Sequence, residues 1–151
     1  MYEYACTVER VVDGDTIDVT LDLGFSVSYK SRVRLFGIDT PESRTRNKDE
    51  KARGKLSTAF LSKAIEIADQ VVIRTELKDS RGKFGRVLGE IFVEPESVGI
   101  MVTEAKYYGV NQTKEGLISI NGILMAEGHA YEYHGEKKKA FVKEIETEKS
   151  G

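Results

Sequence analysis

Three carboxylates and two arginines in this chain stand at spacings that suit phosphate chemistry. Asp15 lies in Val12-Asp13-Gly14-Asp15-Thr16, and Arg34, Asp39 and Glu42 lie in the segment from Arg32 to Ser43. Arg86 closes a third segment, Lys83-Phe84-Gly85-Arg86. Hydrolysing a phosphodiester requires a cation to gather charge on the non-bridging oxygens and a base to orient or deprotonate water. It also requires positive donors for the transition state. Carboxylate and carbonyl oxygens suit Ca²⁺ or Mg²⁺ rather than zinc. With one cysteine, Cys6, and two histidines in the whole sequence, a zinc site is disfavoured further. Asp15 and Asp39 are the candidate cation ligands, and Glu42 is the candidate base. Arg34 and Arg86 are candidate forks for phosphate oxygens, since a guanidinium on a rigid strand presents a preorganised set of donors. Plain alternatives exist: an exposed strand charge for Arg34, a salt bridge to Glu90 for Arg86, and a turn-forming role for Asp13.

The elements that must position these residues read as mainly β. Alternating apolar residues predict strands over 4–12 and 15–22, with Asp13-Gly14 as the two-residue turn between them. A third strand is expected over 25–38. It stops near Asp39 because Pro41 has no N–H to offer a ladder. A helix is expected over 52–69, with Leu56, Phe60, Ala64, Ile67 and Ala68 on its apolar face. Further strands are expected over 71–77 and 86–94, joined by a charged turn at 79–82. Asn121 reads as the N-cap of a short helix 122–127 closed by Gly128, and a last helix is expected over 136–148. The order predicts an α+β, mainly β fold: a five-stranded Greek-key OB-fold barrel with about three helices. The segment 95–119 is an extra β-hairpin, with Asn111-Gln112-Thr113-Lys114 at its tip.

Composition narrows the class. The chain has 151 residues, 40% of them hydrophobic and 32% charged, which fits one domain spanning 1–151 with a real core. No apolar run is long enough to span a membrane. The N-terminal residues lack the basic region and apolar stretch of a secretory signal, so an intracellular location is expected. A net charge of −2 and a pI near 5.8 argue against coating nucleic acid by bulk electrostatics. Local charge is another matter. Residues 44–55 carry Arg44, Arg46, Lys48, Lys51, Arg53 and Lys55 against Asp49 and Glu50. Residues 74–86 carry Arg74, Lys78, Arg81, Lys83 and Arg86 against Glu76 and Asp79. Such runs are commonly solvated surface. Here one follows the carboxylate segment and the other leads into Arg86.

The three segments together resemble the staphylococcal nuclease (thermonuclease) family in residue type, order and spacing. The likeness covers most of residues 7–134. It implies an OB-fold and a Ca²⁺-dependent endonuclease, with Mg²⁺ or Mn²⁺ as other hard cations, acting on DNA and RNA and leaving 3′-phosphate ends. By position it implies that Asp15, Asp39 and the Thr40 carbonyl hold the metal and that Glu42 acts on water. It further implies that Arg34 and Arg86 bind phosphate, that Lys83 meets a terminal phosphate, and that Tyr131 and Tyr133 flank a nucleotide. A base stacked on such a ring gains about 1–3 kcal/mol without sequence preference, which favours single-stranded or locally unpaired substrate. Phe84 departs from the family pattern by lacking a tyrosine hydroxyl. The segment 95–119 is also longer than the simplest pattern. Lys106-Tyr107-Tyr108 within it would extend the nucleic-acid surface, or the hairpin would mediate self-association. The competing reading is a non-catalytic OB module that binds a single strand or a protein partner.

Overall fold

The computed structural model describes residues 2–75, 87–99 and 109–133. The turn 79–82, the segment Lys83-Phe84-Gly85-Arg86, the residues Lys106-Tyr107-Tyr108 and the helix expected over 136–148 lie outside these.

Five strands close into a barrel. β1 (Tyr2–Asp13), β2 (Thr16–Gly24) and β3 (Val27–Leu35) form an antiparallel meander. After them come β4 (Ile38–Asp39), α1 (Lys48–Ile67), β5 (Val71–Thr75) and β6 (Val87–Val93). β5 pairs with the start of β1 and with β6, and β6 runs parallel to β3 through Val33↔Val87, Arg34↔Leu88 and Leu35↔Gly89. That last pairing joins the two ends of the sheet, so the barrel strands have no free edge within it. β7 (Ile118–Ser119) extends the sheet at β6, while β4 pairs with β8 (Tyr131–Glu132) in a separate two-stranded sheet. α2 (Ile120–Ala126) follows β7 directly. The architecture is a mainly β, OB-type barrel with two α-helices and one 3₁₀ turn (Pro95–Val98) among the described residues.

Alternation builds the interior. Ile17, Val19 and Leu21 of β2 face inward with Val33 and Leu35 of β3, Ile73 of β5 and Ile91 and Val93 of β6. Leu61 and Ala64 of α1 and Ile120 and Leu124 of α2 complete this core. Two register shifts in β1, between Val8 and Arg10 and between Val11 and Asp13, are the irregularities that let a long strand coil round a small barrel.

Several sequence expectations need correction. Asp13 pairs with Thr16, so the loop residues of the first hairpin are Gly14 and Asp15 rather than Asp13 and Gly14. The shift in register beside the turn moves it one residue on. The third strand breaks after Leu35, not near Asp39, because Gly37 has φ +82° and turns the chain. Ile38–Asp39 then pairs anew with β8. In α1 the period was right but the face was rotated: Gly54, Ser57, Leu61 and Ala64 are buried, while Leu56 and Ile67 are exposed. In the hairpin after residue 109, Gln112 bridges Ile118 and the Thr113 N–H donates to Leu117 O. Its turn is therefore at Lys114 and Glu115, overlapping the expected tip only at Lys114.

The N-cap of α2 is Ser119, whose hydroxyl accepts from Gly122 N, and not Asn121. Asn121 does something the local pattern hid. Its buried side chain accepts from Ile91 N through Oδ1 at 3.1 Å, and Nδ2 donates to Phe36 O and Gly89 O at 2.9 and 3.2 Å. One amide thus ties α2 to β6 and to the turn after β3. Replacing it with alanine leaves several buried backbone groups without those partners. N121A should lose about 2–4 kcal/mol of stability in urea titrations. A change under about 0.5 kcal/mol, the size of an ordinary surface substitution, would show that the backbone finds other partners.

Candidate active site

Four of the residues singled out from the sequence meet at one rim of the barrel. The β1–β2 turn supplies Asp15, β3 supplies Arg34, and β4 supplies Asp39 with Thr40 just beyond it. Leu35 N donates to Asp15 O at 2.8 Å, which fastens the turn to the end of β3. β4 is held in place by β8 and by Tyr133 N, which donates to Gly37 O.

Arg34 is the hub. Its guanidinium lies 3.3 Å from Asp15 Oδ2 and 3.1 Å from Asp39 Oδ1. Its side chain leaves the core face, as the strand period required, yet it is only 13% exposed. It is therefore not the exposed strand charge of the plain alternative. Thr16 Oγ1 donates to Asp15 Oδ1 at 2.9 Å, and Thr40 N donates to Asp15 Oδ2 at 3.2 Å. Burial pushes the Asp15 carboxyl up. Arg34, Thr16, Asp39 and the Thr40 N–H together outweigh that and hold it below its ordinary value. Asp15 is therefore ionised at neutral pH. The guanidinium carbon also sits 5.7 Å from the centroid of the Tyr133 ring, a cation–π contact that orients the arginine.

Two neighbouring buried carboxyl groups against one guanidinium form a site with oxygen-only acidic donors. That donor chemistry fits a hard divalent cation. No third acid, histidine or cysteine completes a cluster with them among the described residues, so carbonyl, phosphate or water oxygens would fill the remaining positions. Asp13 takes no part; it accepts from Ser43 Oγ at 2.7 Å and so pins the loop after Glu42 to the end of β1. Glu42 itself is exposed, two residues past Thr40, on the loop that leads to α1. Tyr131 joins the site region through its backbone, paired with Asp39. Glu90, the alternative partner of Arg86, is engaged by Ser119 and Asn111.

Sequence reasoning missed the residues that press this rim together. A Cβ on Gly14 would stand 2.7 Å from Ser57 Cβ and 3.1 Å from Thr40 Oγ1. Gly14 is thus required by close packing between the turn, the Thr40 loop and α1. Ser57 in turn donates to His129 O at 2.7 Å.

A family model described as staphylococcal nuclease homologue matches residues 32–150. The thermonuclease of Staphylococcus intermedius is 31% identical over 116 residues, covering 74% of this chain and 65% of that protein. The micrococcal nuclease of Shigella flexneri is 31% identical over 143 residues, covering 93% of this chain and 66% of that protein. An endonuclease of Bacillus subtilis is 31% identical over 102 residues but is matched over only 8% of its length. The chain thus spans just under two thirds of the first two relatives.

The Asp15–Arg34–Asp39 arrangement makes a pH-dependent prediction. In the native protein the lowered Asp15 pKa contributes stability above the unfolded-state value, lost as pH falls through the folded one. Removing Arg34 takes away the leading influence that lowers the Asp15 pKa and leaves burial, which raises it. R34A should cost about 3–5 kcal/mol at pH 7 and distinctly less near pH 4, about the unperturbed carboxyl pKa. Urea unfolding at the two pH values measures this. An equal loss at both would mean that Arg34 acts through packing alone.

Proposed function

The chain belongs to the staphylococcal nuclease family, and we propose that it is a Ca²⁺-dependent endonuclease that hydrolyses DNA or RNA and leaves 3′-phosphate ends. The observation that carries the reading is the convergence of Asp15 and Asp39 on Arg34, with Thr40 beside them and Glu42 next along the chain. The printed names of the relatives, thermonuclease, micrococcal nuclease and endonuclease, support the same class of activity.

Asp15, Asp39 and the Thr40 carbonyl would hold the cation, with Mg²⁺ or Mn²⁺ as other candidates. Bound there, the cation supplies charge neutralisation on a non-bridging phosphate oxygen. Glu42, exposed to solvent, orients the attacking water and takes its proton. Water adds to phosphorus, the 5′ P–O bond breaks, and a 5′-hydroxyl and a 3′-phosphate result. Arg34 exchanges its carboxylate partners in part for phosphate oxygens as negative charge grows on them, and Arg86 is assigned the same task from its position in the motif. Lys83 is assigned to a terminal phosphate. Tyr133, already against Arg34, and Tyr131 would flank the nucleotide. Nucleic acid, single-stranded or locally unpaired, is the proposed partner. Self-association through 95–119 remains a separate proposal, and gel filtration of the intact chain decides it.

Cleavage of single-stranded DNA and RNA should appear with Ca²⁺ and vanish on chelation. E42Q and R86A should each lose about 10²–10⁴ in rate with the fold intact, the range that positioned acid–base and charge-stabilising groups supply. Ca²⁺ with a nucleotide bisphosphate should raise Tm by mass action in the wild type and not in D39N. An oligonucleotide bound but left intact in Ca²⁺, Mg²⁺ and Mn²⁺ alike would favour the binding-module reading instead.

A further inference from the structure

The loop that carries Glu42 is held by α1 at two positions one helical turn apart. At Gly54 the helix has no side chain, and the loop backbone fills the space. A Cβ there would stand 2.6 Å from Pro41 O, 2.6 Å from the Glu42 carbonyl carbon and 2.7 Å from Glu42 O. All three are backbone atoms, so no flexible side chain can yield. One turn earlier, Glu50 Oε1 accepts from Glu42 N at 3.4 Å. Residues at i and i+4 share a helix face, so Glu50 and Gly54 together form a cradle against the Glu42 peptide. The helix is itself anchored for this purpose. Asn47 caps it by accepting from Asp49 N and Glu50 N, each at 3.1 Å, which fixes the turn that carries Glu50. Ser57, one turn past Gly54, ties the helix to His129 O. An interior glycine lowers intrinsic helix stability. Its presence on the buried stripe is explained by what lies against it.

We propose that Gly54 and Glu50 are positioning residues that set where the Glu42 carboxylate stands relative to the rim of Asp15, Arg34 and Asp39. This rests on Glu42 acting on the attacking water as proposed above. Neither residue touches the reacting atoms; each acts through the peptide of Glu42. Substituting alanine at Gly54 forces that peptide away by the better part of an ångström, and a displacement near 1 Å at a reacting group can cost about 100-fold in rate.

The test is steady-state cleavage of single-stranded DNA in Ca²⁺ by the intact chain. G54A should keep a cooperative unfolding transition and lower kcat by about 10–100-fold. KM and the Ca²⁺ concentration for half-maximal rate should change by less than about threefold, since binding groups are untouched. E50A should lower kcat in the same way, and E50Q, which retains an acceptor oxygen, should recover most of the loss. That recovery separates the hydrogen bond from the charge and from any general effect on the helix. If G54A does not fold, the E50A and E50Q pair bears the test alone. Wild-type kcat in a folded G54A, or a rise in KM with kcat unchanged, overturns the positioning role. So does E50Q behaving like E50A. A wild type that cuts nothing overturns this inference together with the reading beneath it. A wild type that cuts, is crippled by E42Q and tolerates G54A and E50A overturns this inference alone.

Discussion

Two buried carboxylates sharing one guanidinium is the constraint that organises this molecule. Placing two acidic groups side by side where water is scarce is costly, and a counter-charge within contact distance offsets that cost. Arg34 supplies it, 3.3 Å from Asp15 and 3.1 Å from Asp39. It does so from a strand that pairs on both sides, with β2 through Thr16↔Arg34 and with β6 through Arg34↔Leu88. The arginine is therefore rooted where the barrel closes, the stiffest place available to it.

The packing around this site follows from the need to bring three chain segments to one rim. The β1–β2 turn, the end of β4 and the first half of α1 approach so closely that one member of each contact is a glycine. Gly14 meets Ser57 and Thr40, and Gly54 meets the backbone of Pro41 and Glu42. Small residues at a contact forgo apolar burial and leave close backbone geometry in exchange. The main core lies apart from them, in β2, β3, β5 and β6, with α1 and α2 closing it.

Asn121 shows the same logic at the end of the β3–β6 closure. A single amide serves Ile91, Phe36 and Gly89, where the β3–β6 ladder stops at Leu35↔Gly89. A buried polar side chain is tolerated when its hydrogen-bonding groups find partners, and it then specifies one arrangement. Its partner Phe36 lies on the turn between Arg34 and Asp39, so this amide also supports the site from behind.

Local signals in the sequence determined a good part of this protein. Alternation along the expected strands 15–22 and 25–38 placed Arg34 off the core face, and carboxylates at turn and strand ends marked Asp15 and Asp39, because period and turn chemistry depend on near neighbours alone. The long-range terms were settled only by tertiary structure. The first turn moved to Gly14 and Asp15 because a bulge lies beside it, and no local residue type announces the register of a distant strand. The buried face of α1 rotated toward Gly54 and Ser57 because close approach rewards small residues, which apolar counting ignores. Asn121 became a brace instead of a cap because its partners lie 30 to 85 residues away. Residue type and spacing declare which chemical groups are present. Their mutual distances depend on strand closure and helix docking, and those are properties of the folded chain as a whole.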